Sequence, residues 1–341
     1  RGPQMARGPG ARGGGSPWDS DLVAGVAFHP RRCEPRSNED GIRGGDPSGG
    51  WIDADIAAAD GVRLAYRLYV APRSSHDEPD ESLCVLVYFH ANAELCTDLE
   101  VDRRSILNCG FHAILCPEFR GFAWSGGKPQ LGKLCPDAGD FLGALPGILR
   151  GAGLQAPTIR VALHGRSLGS ACATHVAAQA SARRAGGDEA VEISALVVES
   201  GVMSVLDLPM VQSLGAMMPQ MLQVLAAAPC PLNTLAEMRQ VTVPTLVIHG
   251  DLDEISPVSQ AEQAYGACAS EHKRLARYGG CHHNDVRAVV PQKYYAELQR
   301  VAQIVSKDLE PEALLEEDEG AGGLLGVIFG ALRCLPRRWA G

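Results

Sequence analysis

The apolar positions of this 341-residue chain change their period several times. Residues 1 to about 50 show no apolar period and are rich in Gly, Arg and Pro. Such a stretch buries too little apolar surface to offset its ordering entropy, so 1–50 is expected to be disordered. From Trp51 onward apolar residues gather into short runs. Runs 52–58 and 62–70, separated by Ala59, Asp60 and Gly61, predict a β-hairpin turning on Asp-Gly. Residues 83–89 are continuously apolar, as in a strand buried on both faces. A helix is predicted over roughly 93–108, ended by Cys109 and Gly110, then a strand over 111–116. A Gly-rich loop at 117–129 and a helix from about 135 to 150 follow. Further strands fall at 159–163, 193–198, 244–249 and 272–278, and a closing helix at 292–307. Repeated βα units of this kind predict an α/β domain over 51–307, a mostly parallel central sheet with helices on both faces.

An insertion at about 200–240 interrupts the alternation and predicts a short helical cap. Five of the seven methionines fall between Val202 and Met221. Flexible thioethers suit an apolar, adaptable pocket, which makes Met210, Met217 and Met218 candidate substrate-binding residues. The competing reading is ordinary packing of the cap on the domain. The tail, 308–341, is acidic over 310–319 and apolar over 322–332, ending in Arg333, Cys334 and Arg337. Eleven or so apolar residues are too few to span a bilayer. The two expectations for the tail are peripheral membrane contact, with Cys334 open to lipidation, and a packed terminal helix.

The net charge of −9 argues against a nucleic-acid partner. Eleven cysteines are scattered singly, with no C-x-x-C spacing and several in apolar runs, such as Cys84, Cys116 and Cys172. That pattern fits a reducing, cytoplasmic setting, with membrane association the alternative. No ligand spacing for a metal is visible, and no cofactor is expected.

The chemistry concentrates at Gly165-Arg166-Ser167-Leu168-Gly169. A strand precedes this G-x-S-x-G and a small-residue helical pattern follows, which is the setting of a nucleophile elbow. A sharp turn forces the serine into a strained conformation, and Gly165 and Gly169 leave room for it. The Leu168 N–H, at the start of the helix, points toward a developing oxyanion. A serine nucleophile needs a base and an acid, in chain order Ser, Asp or Glu, His. The strand at 244–249 opens into Asp251, Asp253 and Glu254, and H-G-x-x-D spacing favours Asp253. The strand at 272–278 opens into His282 and His283, either of which suits a base. A second oxyanion N–H is expected after the strand at 83–89, from Asn92 first and Ala93 next. His90, at a strand end, is read as a loop brace.

Taken together these blocks resemble the α/β-hydrolase superfamily, in its serine-aminopeptidase-like branch, which includes eukaryotic protein depalmitoylases. His90-Ala91-Asn92-Ala93 is similar to that branch's H-G-N-A block. The loop 117–129 is similar to its aromatic-R-G-aromatic-G-x-S-x-G-K-P loop, and residues 165–170 match G-R-S-[LI]-G-S. His283-Asn284-Asp285 fits G-H-N-D, so the resemblance selects His283 as base. It implies the α/β-hydrolase fold and a Ser167–His283–Asp253 triad. The reaction expected is cleavage of a carboxylic ester or thioester through an acyl-enzyme, on a small-molecule or acylated-protein substrate. Amide hydrolysis and a non-catalytic binding role are the alternatives. Ala91, Ala123 and His282 stand where that pattern has glycine.

Overall fold

The computed structural model describes residues 16–36, 50–72, 81–183 and 191–315. Eight strands form one sheet: β1 (Gly50–Ala57), β2 (Arg63–Val70), β3 (Ser82–Phe89), β4 (Ala113–Pro117), β5 (Thr158–Arg166), β6 (Val191–Glu199), β7 (Thr245–Gly250) and β8 (Lys273–Tyr278). Their order across the sheet is β1-β2-β4-β3-β5-β6-β7-β8. β1 and β2 form the expected antiparallel hairpin, and β2 meets β4 antiparallel. Every pairing from β4 through β8 is parallel. The central strands are apolar on both faces because both faces are covered, and Leu83, Val85, Leu86, Val161, Leu163, Leu196 and Val247 are fully buried.

The helices are α1 (Asp21–Ala27), α2 (Arg103–Leu107), α3 (Leu131–Gly151), α4 (Gly169–Arg183), α5 (Pro209–Met217), α6 (Pro219–Ala227), α7 (Thr234–Met238), α8 (Val258–Ala267), α9 (Val286–Val289) and α10 (Pro291–Ser306). α4 and α10 both pack on β3, β5 and β6. The insertion between β6 and β7 carries the helical pair α5 and α6, each begun by a proline at its first turn, where the missing N–H costs nothing. Among the described residues, no helix is long and apolar enough to cross a membrane. The start of the acidic stretch forms a 3-10 turn, Pro311–Leu315, with Leu314 buried, and the tail beyond residue 315, with the rest of that stretch, the apolar stretch and Cys334, lies outside the described residues.

Two elements differ from the sequence pattern. The helix predicted over 93–108 shrinks to a 3-10 turn, Asp98–Val101, and the short α2. The Leu95 N–H donates to Asp98 Oδ2 and the Cys96 N–H to Glu118 Oε2, so side chains take the amides a helix would have used. The larger correction concerns residues 16–36, inside the segment expected to be disordered. They form a 3-10 turn, Pro17–Asp19, then α1, capped by the Ser20 side chain. Trp18 and Phe28 are buried, and Phe28 packs edge-on against Phe122 with ring centroids 6.3 Å apart. The remainder of that segment, 1–15 and 37–49, lies outside the described residues.

The docked segment also completes another helix. Gln130, the N-cap residue of α3, makes no side-chain capping bond. Instead Asp19 Oδ1 accepts the Gly132 N–H at 2.9 Å, and a Cβ at Gly132 would sit 2.8 Å from Asp19 Oδ2. A carboxylate at a helix N-terminus satisfies an orphan amide and complements the macrodipole.

All ten described cysteines are thiols, and eight are buried. Burial pushes the Cys84, Cys109 and Cys135 thiols up to about 12.

Asp19→Ala is expected to lower the unfolding free energy by about 1 kcal/mol, the usual worth of an N-cap. Urea denaturation reads this as a lower midpoint at unchanged slope. An unshifted midpoint would show that residues 16–36 do not cap α3.

Candidate active site

The site is built at the carboxyl ends of β3, β5, β7 and β8. β5 breaks into a turn at Ser167, whose φ is +51°, a left-handed conformation that a non-glycine residue adopts only under constraint. The constraint is visible on both sides. A Cβ at Gly165 would lie 2.5 Å from the Gly169 carbonyl oxygen, and one at Gly169 would lie 2.2 Å from the Phe89 oxygen. The Ser167 N–H is held by the Glu199 carbonyl at 2.9 Å.

The acid and histidine loops meet at another bare backbone position. A Cβ at Gly250 would lie 2.3 Å from the Cys281 carbonyl oxygen. The close approach brings His283 Nδ1 to 2.8 Å and 2.9 Å from the two Asp253 oxygens, and His283 Nε2 to 3.0 Å from Ser167 Oγ. Asp253 Oδ1 also accepts the Ile255 and Ser256 amides at 3.0 and 2.7 Å, and His249 Nε2 lies 3.2 Å from Oδ2. Burial alone would raise the Asp253 carboxyl, but the hydrogen bonds from His249 and His283 outweigh it and hold the group well below the usual carboxylate range. An ionised Asp253 can only accept, so Nδ1 carries the imidazole proton and Nε2 is free to accept from the Ser167 hydroxyl.

The alternatives considered from sequence point elsewhere. His282 pairs with Glu254 at 3.1 Å on the surface, and that pairing raises the His282 pKa. Asp251 binds Arg277 at 2.9 Å. His90 is buried with Nε2 2.6 Å from Glu118 Oε1 and Nδ1 2.8 Å from the Ala91 oxygen. Burial works against its charged form, yet Glu118 raises its pKa, and the ring braces the loop through both nitrogens. Ala123, where the family pattern has glycine, sits at φ +41°, which accounts for the glycine preference there.

Among the described residues, the N–H groups of Leu168, Asn92 and Ala93 make no hydrogen bond, and all three residues line the cavity that contains Ser167. The geometry does not separate Asn92 from Ala93. The Asn92 side chain is committed outward, its Oδ1 accepting the His29 N–H at 3.1 Å. The cavity measures about 640 Å³ and is walled by cap residues such as Val211, Leu214 and Leu222. Met210 lines it at the rim. Met217 and Met218 do not: both are exposed, Met217 by 80%, because α5 ends there and turns their side chains outward. Met221 is the second methionine in the wall. Among the described residues, no group of three or more His, Cys, Asp or Glu side chains is arranged to hold a metal ion.

Beneath the serine lies a charged cluster that the sequence pattern did not reveal. Glu199, fully buried at the end of β6, accepts from Arg166 at 3.1 Å, Arg287 at 3.1 Å and the Tyr294 hydroxyl at 2.8 Å, and lies 2.9 Å from His164 Nε2. Its burial is outweighed by the Arg287 charge, the His164 hydrogen bond and the Arg166 charge, which hold its pKa well below the usual value. Arg166 is the hub of the loops. It pairs with Glu94 of the Asn92 loop and donates to the His283 carbonyl at 3.1 Å and Asn284 Oδ1 at 2.9 Å. Glu94 in turn accepts the Ala91 N–H at 2.9 Å. Glu199 and Arg287 are separated by 88 residues, so no local motif announces the pair.

Residues 232–286 match the family model described as serine aminopeptidase, S33. Over 217 residues the chain is 28% identical to protein bem46 of Schizosaccharomyces pombe, a match covering 61% of this chain and 64% of that protein. The fold is similar to that of the esterase Pf2001 of Pyrococcus furiosus, with a TM-score of 0.55 at 17% identity, over 82% of this chain and 99% of that one. A second crystal form of the same esterase gives 0.54 at 16% identity, over 82% and 96%.

Glu199→Gln is expected to cost about 3 kcal/mol or more at neutral pH, because Arg166 and Arg287 lose the charge that balances them. The depressed carboxyl contributes its full stabilisation above the unfolded value of about 4.3 and loses it as pH falls toward the folded value. Denaturation midpoints measured from pH 7 to pH 3 should therefore fall less steeply in the variant than in wild type. Parallel slopes would exclude Glu199 as a source of acid sensitivity.

Proposed function

We propose that this chain, which has the α/β-hydrolase fold and resembles its serine-aminopeptidase-like branch, is a serine hydrolase of carboxylic esters or thioesters. The observation that carries the reading is the unbroken line Asp253–His283–Ser167 on the floor of an apolar cavity, at 2.8 and 3.0 Å. Ser167 Oγ attacks the acyl carbonyl as its proton passes to His283 Nε2. The imidazolium that forms is stabilised by the Asp253 carboxylate. The carbonyl oxygen gains charge beside the Leu168 N–H and that of Asn92 or Ala93, donors worth roughly 3 kcal/mol each at such positions. His283 then returns the proton to the leaving oxygen or sulfur, leaving an acyl-serine. Water, deprotonated by His283, releases the acid and regenerates Ser167.

The lining favours an acyl group over a peptide. An aminopeptidase needs a free carboxylate for the substrate ammonium. The carboxylates that line the cavity, Glu94 and Glu254, are already paired with Arg166 and His282. A fatty-acylated protein and a small acyl ester or thioester both satisfy this chemistry.

A fluorophosphonate probe reports an activated serine without assuming a substrate. Wild type should label, and Ser167→Ala and His283→Ala should not, with Asp253→Asn slowed by orders of magnitude because the imidazole loses its orienting acceptor. Labelling that persists in Ser167→Ala would assign the nucleophile to another residue. On a panel of acyl esters, acyl thioesters and aminoacyl amides, faster turnover of the amides would overturn the ester reading.

A further inference from the structure

Residues 17–29 form one side of the cavity that holds Ser167. Trp18, Leu22, Val23 and Val26 line it directly. The segment is fixed at both ends. At one end the Trp18 Nε1–H donates to the Ala228 carbonyl, just past α6, at 3.3 Å. At the other the His29 N–H reaches Asn92 Oδ1 at 3.1 Å, and Arg31 donates to the Ala93 carbonyl at 3.3 Å. The segment thus bridges the cap and the loop that carries the oxyanion donors.

Outside this wall runs a second apolar groove of about 310 Å³, between α1 and α6. Leu22, Val23, Met221 and Leu225 line both the groove and the inner cavity. Those four side chains are a partition one residue thick. Among the described residues no hydrogen bond joins α1 to α6, so apolar contact alone closes the partition. Leu22 is 53% exposed and Met221 is half-buried, and an unbranched thioether rearranges at little cost. The two fixed points lie outside the partition and keep α1 and α6 in place while its side chains move.

We propose that the seam of Leu22, Val23, Met221 and Leu225 is a chain-length gate for an acyl substrate. Short acyl chains end against it. Longer chains part Leu22 from Met221 and lay their methyl end in the outer groove, on Val224. This inference rests on the reading of the site as an acyl hydrolase, and it makes the N-terminal segment a specificity-determining element of that site.

The test compares p-nitrophenyl butyrate with p-nitrophenyl palmitate in wild type, Leu22→Trp and Val224→Trp, with exposed Val101→Trp, which lines neither cavity nor groove, as control. Filling the gate or the groove is expected to lower the palmitate-to-butyrate ratio of kcat/KM by about tenfold or more. The control should keep the wild-type ratio. Equal ratios in all four proteins, or equal loss on both esters, would overturn the gate.

A second measurement needs no turnover. Ser167→Ala is irradiated with a palmitate analogue carrying a diazirine at its methyl end, and the labelled peptides are identified by mass spectrometry. Labels on residues 219–225 and 17–24 are expected. Labels confined to inner residues such as Val211 and Leu214, or no labelling, would overturn the gate. If labelling follows the seam while fluorophosphonate and every ester fail on wild type, the acyl site stands and the hydrolase reading falls.

Discussion

Everything at the carboxyl end of the sheet depends on how closely the start of α4 presses against β3 and β5. Gly165 and Gly169 allow backbone to meet backbone where any side chain would collide with the Gly169, Phe89 and His90 carbonyls. That contact forces the left-handed turn at Ser167, and the turn lifts the hydroxyl away from the sheet. It also sets the Leu168 N–H and the Asn92 loop on the same cavity, because Phe89 and His90, which lead into that loop, are the groups in contact. A steric condition in five residues thereby brings the Ser167 hydroxyl and the unbonded Leu168 and Asn92 amides onto one cavity.

A second layer keeps these loops in register. Glu199 is buried among Arg166, Arg287, His164 and Tyr294, where an unbalanced charge would be costly and a balanced one is rigidly held. Arg166 extends that rigidity outward, since its guanidinium meets the Asn92 loop through Glu94 and the histidine loop through the His283 carbonyl. Arg166, next to Ser167, is therefore a tie between the two loops that flank it.

Much of this was legible in the chain. The parallel strands announce themselves as continuous apolar runs, and the elbow as two glycines around a serine after such a run. Asp253 and His283 stood among neighbours of equal chemical merit, and spacing alone did not separate His282 from His283. The resemblance selects His283, and the physical reason is the direction of each side chain, toward Asp253 or toward Glu254, which sequence does not encode locally. The same limit applies to the cap: all five methionines fit an apolar wall, and only the end of α5 shows that Met217 and Met218 turn outward. Docking of residues 16–36 was invisible for a different reason. Its anchors are long-range, Trp18 to Ala228 across 210 residues, while α1 itself has only seven residues in which to show a period.

The thiols buried in the core have one more consequence. Disulfide exchange proceeds through the thiolate, and burial keeps Cys84 and Cys135 protonated far above neutral pH and shielded from reagent. Cys84 sits on β3 and Cys135 on α3, so each is tied to a different layer of the fold. Their rates of modification by a bulky disulfide reagent would follow the local opening of each layer, in the way amide exchange follows it, and would rank sheet and helix by the free energy of exposing them. The unpatterned cysteines that say nothing about pairing thus form a built-in gauge of how the molecule breathes.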